Sequence, residues 1–203
     1  MNFLRIAPDR QKFFFIDETG FQVSMICRYG QELTGVRATR VVPALRSRNY
    51  SVACTMSCEG MVNFKIREGA YNAECFLEYL LEIFEIFQAR EISEVYLVMD
   101  NVPFHKTALV QNTIRAFNHV PIYLPPYSPF LNPIENLFSK WKGLVRQANS
   151  RTADELFSSI EASSTNITSN DCLGFYRHME SYLPDCIQGC PVENEYIFIS
   201  KLF

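Results

Sequence analysis

Two short apolar runs, each ending in an aspartate, constrain this chain more than any other feature. The first is Lys12 to Asp17 (KFFFID) and the second is Glu94 to Asp100 (EVYLVMD). A nearly continuous apolar run suits a strand covered on both faces, so both runs read as buried central strands of one sheet. A carboxylate is costly to bury inside such a run, and at its end it reaches the sheet's edge. In open α/β sheets ligands gather at the carboxyl ends of strands. If the two strands are neighbours, Asp17 and Asp100 meet there.

A third acid can join them. The Pro-rich stretch Pro125 to Pro133 (PPYSPFLNP) reads as a stiff loop. Asn132-Pro133-Ile134-Glu135 then reads as a helix start, with Asn at the N-cap, Pro at the first helical position and Glu in the first turn. The loop can deliver Glu135 to the two aspartates from the side. Three carboxylates brought together repel each other unless a cation neutralises them. Mg²⁺ suits such a set, because it takes a few carboxylates plus phosphate oxygens. Two such ions roughly 3.5–4 Å apart activate water or a 3′-hydroxyl and stabilise the leaving oxygen of a phosphodiester. Acids at strand ends also occur without any such role, so position alone leaves a purely structural reading open.

The remaining pattern supplies a scaffold. Thr19-Gly20 reads as a turn, Phe21 to Cys27 as a returning strand, and Gly30 to Arg48 as a long loop. Tyr50 to Ser57 is a further strand, and Val62 to Ile66 a short edge strand. Asn72 caps a helix carrying Phe76, Leu77, Leu80, Leu81, Phe84 and Phe87 at helical spacing, while Glu74, Glu78, Glu82 and Glu85 form its solvated face. A helix is expected over Pro103 to Asn118, a strand over Val120 to Leu124, and further helices to Gln147, from Thr152, and over Asn170 to Leu183. Strands come first and then alternate with helices, which gives an α/β mixed sheet with helices on its faces. The expected organisation is a tail (1–11), a core (12–150) and a C-terminal helical extension of the same domain (151–203).

Composition narrows the function classes. At 48% apolar and 20% charged residues the chain is globular. No apolar run reaches the roughly 18–20 residues of a membrane span, and the first residues lack the apolar stretch of a secretory signal. An intracellular protein is expected. Its seven cysteines show no CxxC spacing and read as reduced thiols; Cys186 and Cys190 with His178 make a weaker zinc set. The net charge of −3 is uneven, with eight basic against four acidic residues in 1–50 and three against eight in 151–203. Phosphate binding needs a local basic surface rather than a basic average. Arg46 and Arg48 close an arginine-rich run that a solvated loop explains equally well. On the helix begun at Pro133, Lys142 and Arg146 share the face of Glu135 and could line a DNA strand. His105 could touch a phosphate or the edge of a metal site, or simply pack a helix. Glu18 should point to the sheet face opposite Asp17.

FIDETGF (15–21), VMDNVPFHK (98–106) and LPPYSPFLNPIENLFSKWK (124–142) resemble the signature blocks of the Tc/mariner superfamily of DDE transposases. The 34 residues between Asp100 and Glu135 match the spacing of one large branch of that superfamily. The resemblance implies an RNase H-like (retroviral-integrase-like) fold with catalytic and metal-binding roles for Asp17, Asp100 and Glu135. It further implies two Mg²⁺ or Mn²⁺ ions, cleavage and strand transfer at transposon ends, and work as a homodimer on DNA. Full-length relatives carry an N-terminal helix-turn-helix region, which these 203 residues are not expected to contain, so a separate DNA-binding region is expected. In a eukaryote the location would be the nucleus. Two other readings use the same residues: a catalytically silent relic that binds nucleic acid or a partner subunit, and a nuclease that cuts with water and never joins ends.

Overall fold

The computed structural model describes residues 10–23 and 49–188. Five strands form one mixed sheet: β1 (Phe13–Gln22), β2 (Asn49–Ser57), β3 (Gly60–Glu68), β4 (Tyr96–Met99) and β5 (Val120–Tyr123). Their spatial order is β3-β2-β1-β4-β5. β1, β2 and β3 pair antiparallel, and β4 and β5 add in parallel beside β1. Six α-helices lie among the described residues: α1 (Ala73–Ala89), α2 (Ala108–Ala116), α3 (Pro133–Ala148), α4 (Ala153–Ser164), α5 (Ser169–Ser181) and α6 (Leu183–Gln188). None is long and apolar enough to cross a membrane.

β1 sorts the core into two layers by simple alternation. Phe13, Phe15 and Phe21 pack with Leu137, Phe138 and Trp141 of α3, Ile160 of α4 and Tyr176 of α5. Phe14 and Ile16 face the other way, into Phe76, Leu80 and Phe84 of α1 and Val110 and Ile114 of α2. This two-sided cover is what a continuous apolar run requires. Helices α4 and α5 share one core cluster with α3, so the C-terminal helices are built onto the same body. Trp141 is fully buried and its indole N–H donates to the Ile160 carbonyl at 3.0 Å.

Three local expectations are corrected. Thr19-Gly20 makes no turn. β1 runs straight through it, because Thr19 pairs with Val52 and Gly20 with Ser51. The returning strand is therefore β2 rather than Phe21 to Cys27, of which residues 24–27 lie outside the described region. The helix expected over Pro103 to Asn118 is a 3₁₀ turn (Pro103–Lys106) followed by α2, because the Thr107 side chain accepts the Val110 N–H and opens a fresh helix. The last long helix begins at Ser169, one turn made by a capping box between Thr168 and Asp171, and breaks before α6. The loop expected over Gly30 to Arg48 lies outside the described residues.

Candidate active site

The parallel pairing of β1 with β4 ends at Ile16 opposite Met99. Asp17 and Asp100 come next, side by side where β4 ends; β1 itself runs on to Gln22, so Asp17 lies inside its strand rather than at the strand's end as expected. Asp17 is only 6% exposed. Its Oδ1 accepts the Glu18 backbone N–H at 2.7 Å, and its Oδ2 accepts the Asn132 side-chain amide at 2.7 Å. Burial, then repulsion from Glu135, Glu18 and Asp100, pushes its pKa well above the carboxylate range; the backbone hydrogen bond offsets only part of this.

Glu135 stands in the first turn of α3. The residue is exposed, yet the protein packed around its carboxyl raises its pKa by desolvation. Lys142 pulls that pKa down and Asp100 pushes it up. Lys142 is itself lowered by burial, raised by Glu135, lowered by Arg146 and raised by Asp17. Asp17, Asp100, Glu135, Lys142 and Arg146 thus share one electrostatic neighbourhood. Among the described residues no group of three or more His, Cys, Asp or Glu side chains stands close enough together to hold a metal ion. The donor set itself is all oxygen, centred on a buried, repelled Asp17, and it fits a hard divalent cation.

The opposite side of β1 supports Asp100. His105 is fully buried, tilted against the Phe76 ring at 4.2 Å and edge-on to Phe104 at 4.4 Å. Its Nε2 lies 3.2 Å from Glu18 Oε1, and its Nδ1 lies 2.8 Å from Asp100 Oδ1. The Nδ1 contact is close but poorly aligned, so it acts as an ion pair more than a directed hydrogen bond. Burial alone would lower the imidazole's pKa, but Asp100 and Glu18 together push it up to about 9. The Val102 N–H also donates to Asp100 Oδ1, at 3.3 Å.

The expected site residues fall into three groups. Asp17, Asp100, Glu135 and Lys142 stand within electrostatic reach of one another, and Arg146 stands within reach of Lys142. His105 is fully buried between Asp100 and Glu18, which matches the packing alternative rather than an exposed phosphate contact. Arg46 and Arg48 lie outside the described residues. Glu18 follows Asp17 on β1 and makes the second contact to His105, at 3.2 Å. Asn132 was read as a helix cap, but its side chain makes no cap bond and reaches Asp17 instead. No local signal in the sequence could have shown that contact, which spans more than a hundred residues. Among the described residues Cys54, Cys58, Cys75, Cys172 and Cys186 are free thiols.

A family model described as DDE superfamily endonuclease matches residues 12–157, a stretch containing Asp17, Asp100 and Glu135. Comparison with curated proteins gave no match. Among solved structures, the Mos1 transposase paired-end complex with left transposon end superposes with a TM-score of 0.78 at 15% identity, covering 91% of this chain and 57% of that one. The Mos1 strand transfer complex gives 0.78 at 15% identity, covering 92% and 56%. The Mos1 transposase catalytic domain with raltegravir and Mn gives 0.73 at 13% identity, covering 94% and 88%. The chain spans little more than half the length of the Mos1 chains in those two complexes. At such identities the likeness is one of fold, the RNase H-like fold of the Mos1 catalytic domain. By the family match over most of its length, the chain belongs to the DDE superfamily endonucleases.

Proposed function

We propose that this chain is the catalytic domain of a metal-dependent DNA transposase, cleaving and transferring phosphodiester strands at transposon ends. The observation that carries this reading is the buried Asp17 carboxylate, repelled by Glu135 and Asp100 that arrive from α3 and β4. Asp17, Asp100 and Glu135 would hold two Mg²⁺ or Mn²⁺ ions. When bound, such ions polarise phosphoryl oxygens and neutralise the charge that develops on attacking and leaving oxygens. The protein's own residues orient and position. The Glu18 backbone and Asn132 fix both oxygens of Asp17, and His105 braces Asp100 against Glu18. Lys142 and Arg146 extend a basic stripe along α3 from Glu135, where phosphate contacts would set the register of a DNA strand. Arg46 and Arg48 are candidates for further phosphate contacts.

The DNA partner and the divalent ions are supported by the fold neighbours, which include Mos1 with a transposon end and a Mos1 catalytic domain with Mn. Two ends must be handled together, so a homodimer is the expected working form, with a helix-turn-helix region reading the ends. In a eukaryotic cell it would act in the nucleus. The test is nicking and joining of labelled DNA carrying candidate ends, with Mg²⁺ or Mn²⁺. Wild type should nick and join, and Asp100→Ala should do neither. Nicking without joining would point to the water-using nuclease. DNA binding without metal-dependent nicking would point to the silent relic.

A further inference from the structure

We propose that Asn132 is a positioning residue of this site, holding the Asp17 carboxylate in register with the helix that carries Glu135. The inference rests on the carboxylate site described above and adds a residue to it. Asn132 is 3% exposed and sits between the 3₁₀ turn Pro129–Leu131 and α3. At that N-cap position an Asn side chain ordinarily accepts a backbone N–H from the first turn. Asn72, Thr152 and Thr168 do so at the starts of α1, α4 and α5. Asn132 does not.

Its side chain turns away from the local partner. Nδ2 donates to Asp17 Oδ2 at 2.7 Å, and Oδ1 is left buried with no hydrogen-bond partner. Leaving a buried carbonyl oxygen unpaired is unfavourable, as is giving up the cap. A packing role gains nothing from either sacrifice, whereas orientation of one carboxylate oxygen does. Asn132 also ties the second acid: its backbone carbonyl accepts the Glu135 N–H at 3.1 Å. One residue therefore links a carboxylate on β1 to the backbone of a carboxylate on α3, and sets their mutual geometry. Groups of this kind, which hold metal ligands from outside the ligand set, change metal affinity or activity by roughly 10–100-fold when removed.

The test is Asn132→Ser in the full chain. Ser is a good N-cap but too short to reach Asp17, so it restores the cap and removes the tether. Free Mn²⁺ is followed by electron paramagnetic resonance, and the thermal midpoint is measured without metal. The expected result is a midpoint equal to or above wild type with Mn²⁺ bound at least about tenfold more weakly. Asn132→Ala, measured in the same way, serves if the Ser variant does not fold, and should show the same loss of affinity. A folded Ser or Ala variant that binds Mn²⁺ as tightly as wild type, while Asp100→Asn binds weakly, overturns the role of Asn132 and leaves the carboxylate site standing. If the wild-type chain binds no Mn²⁺, the site reading itself fails and this inference falls with it.

Discussion

Asp17 is held where a carboxylate is least stable: buried, with three like charges nearby and only two hydrogen bonds to offset them. A carboxyl whose folded pKa is raised lends full stability below its unfolded value, about 3.9, and loses it as pH rises through the folded value. At neutral pH without metal, Asp17→Asn should therefore stabilise the fold. An Asn at 17 can keep both contacts, because the Asn132 amide can turn over and accept from it. The expected result in chelator is a thermal midpoint higher by a few degrees, at roughly 2–4 °C per kcal/mol, and a lower midpoint would refute it. His105 works with the same sign. Its pKa lies at about 9 against an ordinary 6.5, so its contribution is complete below 6.5 and disappears as pH rises through 9. The wild-type midpoint should fall between pH 6.5 and 9, and His105→Gln should flatten that fall; an unchanged slope would count against the His105 ion pairs. At this scale the sequence was legible for the acids that the apolar runs located, Asp17 and Asp100. It was not legible for His105 or Asn132, whose partners come from elements far away in the chain.

Helix boundaries were readable where the cap is local. Asn72 and Thr152 each lie three residues before an N–H group they satisfy, whereas the equally local Thr168–Asp171 box went unread and its helix was expected from Asn170. Removing the box with Thr168→Ala should cost about 1 kcal/mol, lowering the melting midpoint by a few degrees while Mn²⁺ affinity stays the same. A change in Mn²⁺ affinity would mean that α5 reaches the site. Strand boundaries were less readable, because pairing is non-local. Thr19-Gly20 carries every local mark of a turn, but Gly20 faces Ser51 on a strand that returns some thirty residues later. The Pro103 to Asn118 stretch has helical composition throughout, and only the Thr107 cap divides it.

Over the whole molecule, the two-sided core followed from β1 alone: one ten-residue strand with apolar side chains on both faces demands cover from both sides, and α3–α5 and α1–α2 supply it. Composition could not show where basic groups stand relative to the carboxylates: Lys142 of α3 feels Glu135, Asp17 and the neighbouring Arg146. If the two basic residues contact phosphates, Lys142→Ala and Arg146→Ala should each weaken DNA binding across sequences and reduce the slope of log affinity against log salt by about 1. Unchanged slopes would move the DNA path elsewhere. The central claim is that carboxylates from β1, β4 and α3 act as one cation site. Its most direct test is Mn²⁺ titration of the full chain and of Asp17→Asn, Asp100→Asn and Glu135→Gln, with free Mn²⁺ followed by electron paramagnetic resonance. Wild type should bind Mn²⁺, and each single variant should lose at least about tenfold in affinity; a wild type that binds none, or variants that bind as tightly as wild type, would contradict it.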